Sequence, residues 1–241
     1  MPNEVFVIPD IHGHLEKLTE ALALVEAHAG SYAKIVFLGD YVDRGPDSRG
    51  VLQFLINGKA EGRDWITLRG NHDQLFLDGI KGQMPNQEKL DWWLNQRMGG
   101  GDTLRSFGIE GDARFADFRS AIPSDHLSFL ETLPFSFETD ELFFCHAGVQ
   151  PGIAFGQQAE QDLIWIREPF LSDTSDHGKL VVHGHTPVDF PEHKGNRVAL
   201  DGGAAWGRKL HVAVFEGREA WLLSGAGRTP LKSLPRDEFE I

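Results

Sequence analysis

Three short apolar runs in the first third of the chain each stop abruptly in polar residues: EVFVIPDIHG (4–13), KIVFLGDYVDRG (34–45) and DWITLRGNHD (64–73). Between the first two, HLEKLTEALALVEAHAG carries apolar residues at helical spacing, with Gly30 placed to end the helix. SRGVLQFLINGKAEG, between the second and third, repeats that pattern over a shorter span from Ser48. Strand–helix–strand–helix–strand predicts parallel strands joined by right-handed crossovers. In such a sheet the loops at the carboxyl ends of the strands gather at one edge, where ligands bind.

The middle, about 74–133, reads as a helical, insertion-like region built from QEKLDWWLNQRM, DARFADFRSAI and DHLSFLETL. The run Gly99 to Gly101 interrupts it and predicts a flexible stretch. The alternation in PFSFETDELFFCHAG predicts a hairpin turning at Thr139–Asp140. KLVVHGH, NRVALDGG, KLHVAVFEG and AWLLSG predict further strands, and about 226–241 reads as a polar C-terminal tail lying across the surface. The expectation is one α/β domain over 1–241, with two mixed sheets and helices outside.

At 241 residues, 41% of them hydrophobic, the chain can bury a sizeable core. MPNEVFVIPD lacks the basic start and apolar stretch of a signal peptide, and no run approaches the ~18 apolar residues of a membrane span. The single cysteine, Cys145, rules out an internal disulfide and suits a reducing, cytoplasmic location. A net charge of −13 argues against gripping nucleic-acid backbone with the general surface. It leaves room for a local positive site built around metal ions.

Candidate chemistry recurs at five strand ends. PDIHG offers Asp10 and His12; GDYVDRG offers Asp40, Asp43 and Arg44; RGNHD offers Asn71 and His72; FFCHAG offers His146; VVHGHTP offers His183 and His185. Carboxylate oxygens with imidazole nitrogens suit divalent ions such as Mn, Fe or Zn, and the absence of clustered cysteines argues against a structural zinc site. Each fragment alone reads as a turn or as a histidine satisfied in a core. Five in order, all with small neighbours, read as a metal site.

This set resembles the phosphoprotein phosphatases, the bacterial and phage lambda-like serine/threonine branch of the calcineurin-like metallophosphoesterases. Their signature, G-D-x-H-G, G-D-x-x-D-R-G, G-N-H-E/D, a later histidine–glycine element and G-H-T, appears here as PDIHG, GDYVDRG, GNHD, HAG and GHTP. Pro9 replaces a glycine and Asp73 stands where many members have glutamate; neither change removes a ligand. The resemblance runs from residue 9 to about 204.

It implies a four-layer αββα sandwich and a hydrolase holding two divalent ions, manganese first, with iron or zinc as alternatives. Asp10 and His12 would bind one ion, Asn71, His146 and His185 the other, and Asp40 would bridge them. Arg44, Arg167 in LIWIRE and Asn71 would hold phosphate. His72, paired with Asp43, would protonate the leaving oxygen while a hydroxide held by both ions attacks in line. The implied substrate is a protein or peptide phosphorylated on serine or threonine; phosphotyrosine and small phosphate esters are alternatives.

A symmetrical dinucleoside tetraphosphate hydrolase is the main competitor. RGP after Asp43 and LDGGAAWG resemble that group, but its members typically lack an aspartate at the position of Asp43. Nucleases of the superfamily usually carry another histidine two residues past the position of His185, where this chain has Pro187. A non-catalytic phosphoprotein binder would be missing a ligand, and none is missing. Cys145 has no nucleophilic role in this reading, and His183 and Asp201 support the site at most. Asp73 orients the following helix; Trp92, Trp93 and Met98 read as core.

Overall fold

The computed structural model describes residues 4–109 and 120–233. Its first sheet has six strands in the order β11-β10-β9-β1-β2-β3, and its second has five in the order β4-β5-β6-β8-β7. β1 (Val5–Ile8), β2 (Ile35–Phe37) and β3 (Trp65–Thr67) run parallel, linked by α1 (Leu15–Ala29) and α2 (Ser48–Ala60). α3 (Asn71–Lys81) follows β3. The hairpin β4 (Ser136–Glu138) and β5 (Leu142–Cys145) opens the second sheet, where β5, β6 (Leu180–His183) and β8 (Arg197–Ala199) are parallel. β7 (Glu192–His193) closes its edge, while β9 (Val212–Glu216) and β10 (Glu219–Ser224) return to the first sheet.

Period-two alternation sorts the side chains into layers. Phe6, Ile8, Ile35 and Phe37 face α1, α2 and α3, with Leu18, Val25 and Leu55 packed on them. Their neighbours Val5, Val7, Val36 and Leu38 face the second sheet and meet Phe144, Val182 and Leu200. On its far face, Phe143, Cys145 and Val181 pack against Phe170 and against Leu163 of α7 (Glu160–Trp165). Helix, sheet, sheet, helix is the expected four-layer α/β sandwich.

Two expectations change. Residues of the supposed tail form β11 (Gly227–Pro230), paired antiparallel with β10, so this part of the segment belongs to the sheet. Its polar residues and Pro230 are tolerated because the strand lies at the sheet edge, where one side needs no partner. The glycine run is not a flexible gap: α5 (Gly100–Ser106) starts inside it, after α4 (Gln87–Leu94). A Cβ on Gly100 would come within 2.4 Å of the Trp93 ring, so glycine is what lets these two helices close. DHLSFLETL forms α6 (Ser124–Glu131), whereas most of the proposed helix DARFADFRSAI lies outside the described residues.

Candidate metal centre

The loops that leave β1, β2, β5 and β6, together with the first turn of α3 beyond β3, converge at one edge of the two sheets. They bring Asp10, His12, Asp40, Asn71, His72 and His146 together, each nearly inaccessible to solvent. Two groups of ligand atoms lie within 4.8 Å of one another: His12, Asp40 and His72, and Asp10, Asp40 and His146. Asp40 is common to both.

Each histidine is aimed by its other ring nitrogen. His12 Nδ1 is 2.8 Å from the Val42 carbonyl and His146 Nδ1 is 2.9 Å from that of Leu38, which sets both Nε2 atoms toward Asp40. Asp40 Oδ2 lies 3.5 Å from His12 Nε2 and 3.3 Å from His146 Nε2. Such backbone anchors fix ring tautomer and orientation in metal sites. Asn71 Oδ1 sits between two imidazoles, 2.9 Å from His146 Nε2 and 2.8 Å from His185 Nδ1. The backbone N–H of His185 faces both carboxylate oxygens of Asp10 at 3.2 Å. A buried set of imidazole nitrogens, carboxylates and one amide oxygen matches what a hard or borderline divalent ion takes.

Backbone strain marks the same residues. Among the described residues, the non-glycine residues with positive φ are His12, Asp40, Asp43, Arg44 and His185. Each such conformation costs about 1–3 kcal/mol and persists only where the surroundings impose it. Glycines make the crowding possible: a Cβ on Gly70 would fall 2.1 Å from Asp40 Oδ1, and one on Gly184 would fall 2.0 Å from Asp10 Oδ1. These contacts explain why small residues flank the acids.

Electrostatics follow from burial. Burial, then the charges of Asp201 and Asp40, push Asp10 well above the usual carboxylate range. Asp40 is held well below it; burial opposes this, but the neighbouring His146, His72 and His12 outweigh burial. His146 is raised to about 10 against its own burial by Asp40 and Asp10. Burial lowers His12 strongly and takes His185 down to about 2.

Beside this cluster, His72 Nδ1 lies 2.7 Å from Asp43 Oδ2. Asp43 is gripped in turn: Trp93 Nε1–H donates to Oδ2 at 2.9 Å and the Thr103 hydroxyl to Oδ1 at 2.6 Å. Thr103 also accepts from the Asp43 N–H at 2.7 Å. Trp93 is therefore core, as expected, and also a hydrogen-bond partner of Asp43; Thr103 was not anticipated. The clue available was the glycine run beside it, read as flexible. Asp73 does orient α3, accepting from the N–H groups of Gly70, Asp40 and Tyr41. Burial, then Asp40, push its carboxyl up to about 7.

Arg44 leans over the centre, with Nη1 2.6 Å from His12 Nε2 and Nη2 2.9 Å from His72 Nε2. A cavity of about 910 Å³ opens above, lined by Asp40, Arg44, Asn71, His72, Arg167 and His185. Three tryptophans, Trp92, Trp165 and Trp206, also line it. Trp92, expected in the core, is 36% exposed there, and Trp206, which carried no expectation, is 54% exposed. The Arg44 guanidinium lies 4.8 Å from the Trp206 ring centre. His183 is buried against Phe170, outside the ligand cluster; Asp201 caps its own loop by accepting from the Gly203 N–H at 2.9 Å.

Residues 4–215 match the family described as calcineurin-like phosphoesterase. Serine/threonine-protein phosphatase 1 of Salmonella typhimurium is 30% identical, with 88% of this chain and 92% of that protein covered. The asymmetrical bis(5'-nucleosyl)-tetraphosphatase PrpE of Oceanobacillus iheyensis is 24% identical over 99% of this chain and 98% of its own. Among solved structures, the cold-active protein-tyrosine phosphatase of a psychrophilic Shewanella superposes with a TM-score of 0.64 at 15% identity, covering 96% of this chain and 83% of that one. That likeness concerns the fold alone.

Proposed function

The chain belongs to the calcineurin-like phosphoesterases, and on that premise we propose that it is a serine/threonine protein phosphatase. It is a hydrolase of phosphate esters; what is proposed is the ester and the part each residue plays. Divalent cations, manganese first, held by Asp10, His12, Asp40, Asn71, His146 and His185 would supply Lewis-acid charge and water of lowered pKa. Asp40, common to both ligand groups, is the residue suited to bridge two ions, although the groups place His12 with His72, which this reading gives the proton, and Asp10 with His146. Arg44 and Arg167 line the cavity with the guanidinium geometry that suits phosphate oxygens. They face the carboxylates of Asp40, Asp162 and Glu168 across the same cavity, so a net positive site for an anion also needs the charge of the divalent cations.

The Asp43–His72 pair carries the choice of substrate. A serine or threonine leaves as a strongly basic alkoxide unless its oxygen is protonated during bond cleavage. A buried imidazole oriented by a carboxylate is built to provide that proton. A nucleotide leaving from a phosphoanhydride is a far weaker base and needs little such help. The investment in His72, Asp43, Thr103 and Trp93 therefore favours an alkyl phosphate monoester. No helix among the described residues is long and apolar enough to cross a membrane, and we place the enzyme in the cytoplasm on its lone buried Cys145.

The exposed tryptophans lining the cavity favour a second reading, hydrolysis of a dinucleoside tetraphosphate, because bases stack on such rings. Metal-stripped protein resupplied with manganese, offered a phosphoserine peptide beside diadenosine tetraphosphate, separates the two. Faster phosphate release from the peptide is expected. Preferential cleavage of the dinucleotide would transfer the protein to the second reading.

A further inference from the structure

We propose that a second cavity, beside the one above the metal centre, is an anion subsite that selects substrates carrying another negative group near the scissile phosphate. This rests on the phosphatase reading and adds a determinant of which phosphoprotein is accepted. The cavity measures about 540 Å³ and meets the larger one at Arg44, Arg97 and Trp206. Its charged lining is Arg44, Arg97 and Arg105 against the single carboxylate of Asp102. Asp102 is already paired with Arg105, which leaves the positive charge of the other two arginines unbalanced. In a chain of net charge −13 that excess runs against the surroundings.

Arg97 is the residue that sets the subsite. It is exposed, and among the described residues the ion pairs include none to its guanidinium, the lining carboxylate of this cavity, Asp102, being paired with Arg105. Its backbone is pinned rather than loose: Asn95 Oδ1 accepts from the N–H groups of Arg97 and Met98 at 2.9 and 3.0 Å. The Arg97 carbonyl accepts from Arg44 Nε at 3.3 Å, which ties this turn to the guanidinium that faces His12 and His72. Trp206, packed on Arg44, walls both cavities. A ligand reaching from Arg44 into the second cavity thus meets a fork donor that no carboxylate among the described residues pairs. Carboxylate and phosphate are the groups that such a donor binds best.

Two sources supply that chemistry: an aspartate or glutamate within a residue or two of the phosphoserine, or the next phosphate of a polyphosphate chain. A residue step of about 3.3–3.6 Å brings the former within reach of a neighbouring cavity. The test uses the full chain loaded with manganese and two phosphoserine peptides, flanked by aspartates or by asparagines. Wild type is expected to favour the acidic peptide about tenfold in kcat/KM. Arg97→Ala should bring that ratio close to one, and Arg97→Lys should restore part of it. Affinities of the same peptides measured in a His72→Asn background should show the same change without turnover.

Equal rates on both peptides in wild type, or an unchanged ratio in Arg97→Ala, would overturn the subsite. If no phosphopeptide is turned over but diadenosine tetraphosphate is, the phosphoprotein reading falls and the subsite is judged separately. Arg97→Ala should then lose about tenfold more on the tetraphosphate than on p-nitrophenyl phosphate. An equal loss on both would end the proposal.

Discussion

The floor and the rim of the cavity are built on opposite plans. The floor is buried and strained, and its side chains are locked by backbone carbonyls and by the absence of Cβ atoms at Gly70 and Gly184. The rim is exposed, with Trp92, Trp206 and Arg97 standing where chain segments from distant parts of the sequence meet. The contrast teaches that the groups proposed for the chemistry, His72 and Asp43 among them, are fixed rigidly, whereas the groups proposed to read what surrounds the phosphate are side chains that little else depends on. Damage to the floor should abolish turnover, whereas damage to the rim should only redistribute it.

The largest effect is expected at Asp40. Asp40→Asn should cost more than the ~100-fold typical of groups that merely support a metal ligand, together with a fall in bound metal seen by elemental analysis. Full loading with full activity would break the contrast at its centre. Metal uptake by stripped wild-type protein near pH 7 should also release protons. His146, raised to about 10 in the metal-free site, must become neutral to bind, so apparent affinity should rise with pH up to that value. Calorimetry in buffers of different ionisation enthalpy reads this directly.

His72→Asn should lower turnover of a phosphoserine peptide by roughly 10²–10⁴-fold with metal content unchanged. The loss on p-nitrophenyl phosphate, whose leaving group needs no proton, should be far smaller. Equal losses on the two would remove His72 from the acid's role. Thr103→Val, which keeps shape but takes a hydrogen bond from Asp43, should cost about tenfold in kcat, by analogy with outer-shell partners of metal-site histidines. Its pH–rate profile should move, because Asp43 holds His72; an unmoved profile would reduce Thr103 to packing. At the rim, Trp206→Ala should raise KM about two- to fivefold at most, because it removes from Arg44 one exposed cation–π contact, worth about 0.5–1 kcal/mol, that helps hold the guanidinium in place. A large fall in kcat there would erase the distinction between floor and rim.

That distinction also decides what could be read in the sequence. Asp10 and His12, Asp40 and Asp43, and Asn71 and His72 lie in short strings at strand ends, where ligand and glycine are neighbours in the chain. Such local strings are legible because the geometry they serve is local. Thr103 reaches Asp43 across a separation of 60 residues, and Trp206 meets Arg44 from further away still, so no window of sequence contains either contact. Most strands were legible, β1 to β3 as short apolar runs that stop in polar residues and the β4–β5 hairpin from its alternation, but the two-residue β7 was not. The edge strand β11 was not, since its pairing with β10 supplies what its polar residues and Pro230 do not. α5 opens on residues of poor helix propensity, and glycine is needed at Gly100 because the ring of Trp93 occupies the space a side chain would take.

The centre also straddles the two sheets: Asp10, Asp40 and Asn71 come from beyond strands of the first, and His146 and His185 from beyond strands of the second. The interface beneath them, Val7, Val36 and Leu38 against Phe144, Val182 and Leu200, is apolar, and apolar contact alone sets no direction of slide. The polar contacts above it, and the antiparallel ladder between β1 and β9, distinguish one alignment from another. A chain cut between Leu133 and Pro134, ahead of β4, would divide the ligands between two pieces, neither able to build the site. Catalysis by the mixed pieces would then be a reporter of reassembly in a single register.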